Sequence, residues 1–168
     1  MSAGEAGLWD FALRLYGASG ISEACLLLQE ESGVDVPVLL FAAWLSARNR
    51  VLTDAELRRV DERIKGWRKD VVQPLRAVRR RLKDGPYPAP SEETEALRNG
   101  VKAIELQSEK IELAVLEAEE NSRHGKEAGE EDASLNLWRV LCYYRGSAPD
   151  ESARQALAVV KAGLQVLS

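Results

Sequence analysis

The chain has 168 residues, 45% hydrophobic and 30% charged, with a formal net charge of -4. That length supports one domain with a contiguous core that needs neither disulfides nor metal, and the composition favours neither a disordered nor a membrane class. The negative balance argues against nucleic acid as a partner of the whole molecule, because phosphate binding is driven by counterion release from a basic surface.

The first residues, Met1-Ser2-Ala3-Gly4-Glu5, lack a basic start followed by an apolar run, and nowhere do about 18 apolar residues follow one another. A cytoplasmic protein with disordered residues 1–6 is expected. Leu8, Trp9, Ala12, Leu13 and Tyr16 then fall at helical spacing, and Gly17 stands where a left-handed cap would end the helix. Ser19 or Ser22 can cap a second helix carrying Ala24, Leu27 and Leu28, closed by Gly33. Asp35 before Pro37 suits an N-cap and first turn, and Val38 to Leu45 is almost wholly apolar, with Phe41 and Trp44 in it. A buried strand over 34–40 competes for this segment. Ala42-Ala43 and the continuation to Ala47 favour a helix at the centre of the fold.

Thr53-Asp54-Ala55-Glu56 reads as a capping box, starting a helix in which Leu57, Val60, Ile64, Trp67 and Val71 step three and four residues apart. The pattern resumes after Pro74 with Leu75, Val78 and Leu82, so a long helix over 53–84 with a kink or break at the proline is expected. The proline-rich segment 85–90 is a firm turn. Ser91 then caps an acidic first turn, and Leu97, Val101, Ile104, Ile111, Val115 and Ala118 line one face of a helix running to about Asn121. Residues 122–132 lack apolar periodicity and read as a mobile loop. Asp132 or Ser134 caps a helix bearing Leu135, Trp138, Leu141 and Cys142, and Pro149-Asp150 introduces a last one with Ala153, Leu157, Val160 and Leu164. The reading is all-α: a single domain over 1–168, an irregular bundle of six or seven helices.

Several chemistries lack their residues. The one histidine, His124, excludes sites built on two imidazoles. It could share a helix face with Glu117 and Glu120, but acidic residues are dense there and a solvated face is the simpler reading. No glycine-rich phosphate cradle occurs. Cys25 and Cys142 lie in apolar stretches, as core thiols do. No catalytic residue, cofactor or metal is assigned, and an enzyme is not expected.

Charge is uneven along the chain. Arg48 to Lys83 holds thirteen Lys and Arg against five Asp and Glu, and Asp84 to Leu135 holds five against fourteen. If the proline-rich turn folds the two long helices antiparallel, their edges attract. At about 100° per residue, Arg58, Lys65, Lys69, Arg76, Arg80 and Lys83 form a stripe opposite Trp67 and Val71. That stripe is either an ordinary solvated face or a docking surface for an acidic protein or, less in keeping with the overall charge, a nucleic-acid backbone. Trp9, Trp44, Trp67 and Trp138 are read as core; an exposed one would mark an interface.

The strings Leu8-Trp9-Asp10-Phe11-Ala12, Ser22-Glu23-Ala24-Cys25-Leu26, Trp44-Leu45, Trp67, Pro74-Leu75-Arg76 and Arg79-Arg80 resemble a proteobacterial family labelled domain of unknown function 2390, over about Leu8 to Lys83. The resemblance implies a bacterial protein without established activity and carries no catalytic residues over. It draws attention to Trp9, Asp10 and Glu23, and Asp10, Glu23 and Trp44 are the candidate residues of a pocket. Two functions are therefore weighed: a protein-interaction or structural role, and a helical pocket that binds or transforms a small apolar ligand. A cavity beside Trp44 lined by Asp10 or Glu23 would favour the second.

Overall fold

The computed structural model describes residues 6–122 and 132–167. These residues form α1 (Leu8–Tyr16), α2 (Ile21–Ser32), α3 (Val36–Ala47), α4 (Asp54–Trp67), a π turn (Arg68–Val72), α5 (Gln73–Asp84), α6 (Glu92–Asn121), a 3-10 turn (Ala133–Leu135), α7 (Asn136–Arg145) and α8 (Glu151–Leu167). Counting α4, the π turn and α5 as one continuous element, the bundle has seven helices. No strand occurs among the described residues. His124 and most of the expected loop lie outside the described residues, as do residues 1–5.

A helix apolar on every side has no face to offer water, so it must be wrapped. Accordingly Pro37 to Leu45 of α3 are all buried, and α1, α6 and α7 pack around them. Trp44, 1% exposed, is the largest fully buried side chain, and its Nε1–H donates to the Ala6 carbonyl at 3.0 Å. The polar end of the indole is thus satisfied inside the core. Asn136, fully buried, ties the 48–53 connection to α7: its Oδ1 accepts from the Leu52 N–H and its Nδ2 donates to the Arg50 carbonyl. α8 closes on α2 through Gly163, where an added Cβ would stand 2.5 Å from the Ile21 Cδ1, so any larger residue there would require the Ile21 side chain to move.

The local signals for α4, α6, the 3-10 turn and α8 act as read. Thr53 and Glu56 form a reciprocal capping box, Ser91 forms one with Thr94, Asp132 accepts from the Ser134 N–H, and Asp150 accepts from the Ala153 N–H. Gly33 ends α2 in the left-handed region, at φ 66°. Three readings need correction. Gly17 sits at φ -77°, so α1 ends without a left-handed cap. Gly20, rather than Ser19 or Ser22, precedes α2, and no side chain caps it. Asp35 does not cap α3, because its carboxylate is engaged by Arg68.

Pro74 neither breaks the long helix nor leaves it regular. Gln73 N–H reaches the Arg68 carbonyl, five residues back, so the turn before the proline is one residue wider than an α turn. The widening makes room for a ring that has no N–H to give and would otherwise press on the carbonyl four residues earlier.

Candidate functional site

The 54–84 element and α6 run antiparallel: Arg50, just before the element, meets Glu120, Arg63 meets Glu119, Trp67 Nε1–H donates to the Ser108 carbonyl, and Arg76 and Arg79 meet Glu105. The attraction expected from opposite charge is therefore present, and apart from the exposed Arg63 it runs between largely buried side chains. The buried positions of α6 are Glu105, Ser108, Glu112, Leu113, Leu116 and Glu120, so this helix turns a largely polar face inward. Glu105 is clamped by both guanidiniums; burial alone would raise its pKa, and Arg79 and Arg76 outweigh that and hold it low.

Arg68, on the π turn, is the hub of this interior. Its Nη1 donates to Asp35 Oδ2 at 3.0 Å and to the Tyr144 hydroxyl at 3.2 Å, and its Nη2 donates to Asp61 Oδ1 at 2.7 Å. Tyr143 and Tyr144 donate their hydroxyls to Asp61 at 2.9 and 2.6 Å. Burial would push the Asp61 pKa up, but the hydrogen bonds from Tyr144 and Arg68 hold the carboxyl below its ordinary value.

Glu112, fully buried, stands apart from this pattern. Neither of its carboxyl oxygens meets a hydrogen-bond donor among the described residues. Burial drives its pKa far upward, and the neighbouring Asp35 carboxylate pushes the same way. Both effects favour the protonated, uncharged form of the Glu112 carboxyl.

Two surfaces emerge from this arrangement. One is a cleft of about 490 Å³ between the end of α2 and the π turn and α5, whose walls include Glu30, Asp35, Arg68, Arg76 and Arg80. The other is the apolar face of α6. With the acidic face turned in, Leu97, Ile104 and Ile111 are left 57%, 54% and 45% exposed, on one line seven residues apart. Ala96, Gly100, Ala103, Gln107, Ala114 and Ala118 surround them and are exposed too, so no charge interrupts this face from Ala96 to Ala118. On the facing helix Trp67, 37% exposed, and Val78, 48% exposed, are apolar side chains at the surface, and Arg81 lies one turn from Val78.

The expected basic stripe is divided. Arg58 is exposed and bonds the Asp54 carbonyl one turn back, Lys65 pairs with Glu62, and Lys69 and Lys83 are exposed. Arg80 is exposed but pairs with Glu30, and Arg76 points inward to Glu105 and Glu109 with 14% of its side chain accessible. The pocket residues are likewise not gathered, since Trp44 is core while Asp10 and Glu23 are exposed on α1 and α2. Of the other tryptophans, Trp9 and Trp138 are half-buried and Trp67 is partly exposed. Cys25 is buried, Cys142 partly so, and both are free thiols.

Sequence reasoning missed the hub of Asp35, Asp61, Arg68, Glu112 and Tyr144. A signal was present: Glu105, Glu109, Glu112 and Glu120 recur at helical spacing opposite a helix rich in arginine. Among the described residues no group of three His, Cys, Asp or Glu is placed to hold a metal ion, and no single helix is long and apolar enough to cross a membrane.

Fold and surfaces together define an all-helical protein with a charged interior hub and an uncharged helix face turned outward. The chain belongs to the family described as "Protein of unknown function (DUF2390)", which it matches over residues 7–116. The match continues past Pro90 and takes in most of α6, beyond the Leu8 to Lys83 stretch in which the likeness was read. No curated protein and no solved structure matches the chain.

Proposed function

We propose that this is a non-enzymatic bacterial, cytoplasmic interaction protein, which docks a helix of a partner on the exposed face of α6. The supporting observation is the inversion of α6: glutamates are buried while Leu97, Ile104 and Ile111 face outward. Contiguous exposed apolar surface of this kind marks an interaction site. The seven-residue spacing suits a helical partner, and the small residues beside the stripe let its backbone approach closely. On the facing helix Arg81, one turn from Val78, is exposed, and Arg63 is 68% exposed even as it pairs with Glu119. An amphipathic helix with acidic residues along its apolar stripe is therefore the matching occupant.

The test uses two designed peptides, each helical with leucines at heptad spacing, one flanked by glutamates and the other by lysines. Fluorescence anisotropy with the full chain should show the glutamate peptide binding more tightly, by about tenfold, with the difference shrinking as salt rises. Ile104→Glu should abolish binding of both. Binding unchanged in Ile104→Glu, or absent for both peptides, overturns the proposal. So does a stable homodimer in sedimentation that Ile104→Glu dissociates, because the face would then belong to a second copy of the chain.

A further inference from the structure

We propose that the cleft between α2 and α5 is a binding site for a small organic oxyanion, a carboxylate- or phosphate-bearing molecule gripped by Arg80 and Arg76. This site is independent of the α6 face. Its volume, about 490 Å³, falls within the range of small-molecule pockets. Arg76 and Arg80 stand one turn apart on the same face of α5, and both line the cleft.

Arg76 is fixed from behind. Its Nε donates to Glu105 at 3.2 Å and its Nη2 to Glu109 at 2.8 Å, leaving Nη1 without an acceptor among the described residues. Arg80 is held by a single bond, Nη2 to Glu30 Oε1 at 3.0 Å, and its Nε and Nη1 have no acceptor among the described residues. A guanidinium presents five donors in a planar fork that fits an oxyanion, and here most of one fork and a tip of another are unspent.

Glu30 is the present occupant of Arg80 and a poor one. It lies in the last turn of α2, where the negative end of the helix dipole disfavours a carboxylate. Both members of the pair are about half exposed, at 48% and 52%, and such a pair holds weakly. An incoming oxyanion offers Arg80 the same chemistry without the dipole penalty. Asp35 does not repel it strongly, because Arg68 already spans Asp35 and Asp61. Once Glu30 swings away, three guanidiniums and one carboxylate remain in the wall.

The displacement gives the test its sign. Calorimetric titrations in low-salt buffer would use inorganic phosphate and succinate as separate probes, on the wild type, Arg80→Gln and Glu30→Gln, with circular dichroism confirming that each variant is folded. At least one probe should bind the wild type, and which one binds distinguishes a phosphoryl from a carboxylate ligand. Arg80→Gln should weaken binding about tenfold or more, while Glu30→Gln should tighten it several-fold by removing the internal competitor. The proposal is overturned if neither probe binds wild type or Glu30→Gln, if Arg80→Gln binds as the wild type does, or if Glu30→Gln fails to tighten.

Discussion

α3 and α6 both touch the core, yet they reach it by opposite routes. α3 is apolar all round and is buried because nothing else can be done with it. α6 has a polar and an apolar face, and the polar one is inside. What decides the orientation of α6 is its neighbour: the 54–84 helix presents Arg76 and Arg79, and these largely buried cations require carboxylates more urgently than Leu97 and Ile104 require shelter. Burial thus follows the partner available and not hydrophobicity alone.

The comparison can be broken first at α3. Trp44→Ala should cost roughly 3–5 kcal/mol in urea denaturation, as large-to-small core changes do. A loss under about 1 kcal/mol would mean that the α3 core is not the stabilising centre. Arg68→Met should cost about 3 kcal/mol at pH 7 by leaving Asp35 and Asp61 buried without their cation. That loss should shrink in acid as Asp61 takes up a proton, and a pH-independent loss would show that packing, not charge, is what Arg68 supplies.

Glu112→Gln should act in the opposite direction. The Glu112 pKa is raised in the folded protein above its ordinary value of 4.5. Its proton therefore favours folding fully below about pH 4.5, and stability falls as pH rises toward the folded pKa, by up to about 1.4 kcal/mol per pH unit. Glutamine needs no proton, so the variant should match the wild type near pH 4.5 and gain on it through pH 7 and 8. Urea midpoints across that range measure the gap, and parallel profiles would show that Glu112 is ionised in the fold. The smallest effect is expected on the outer face of α6, where Ile104→Glu should change stability by no more than about 0.5 kcal/mol while abolishing helix binding.

Much of the fold was legible in the sequence because its signals are local. The capping box at Thr53, Ser91 before three glutamates, and the unbroken apolar run to Leu45 each act within a turn or two. The buried hub was not legible, since Asp35, Asp61, Glu112 and Tyr144 come from four segments and meet only once the helices are stacked. Asp35 illustrates the conflict: the rule for helix starts offers it a cap, but a buried guanidinium outbids the backbone N–H groups. The face of α6 was read correctly as apolar, but which face would be buried depends on the helix beside it.

The π turn at Arg68–Val72 acts on the chain as an insertion acts on a reading frame. One extra residue in a turn advances everything after it by about 100° relative to an uninterrupted α-helix. A wheel drawn through 53–84 as a single helix is therefore in phase for Arg58 and Lys65 and out of phase for the arginines of α5. Excising one residue from this turn would restore the frame and rotate α5, carrying Arg76 off Glu105 and Arg80 off the cleft. A single codon thus separates a helix with a plain basic outer stripe from one that spends its arginines on an interior and a pocket.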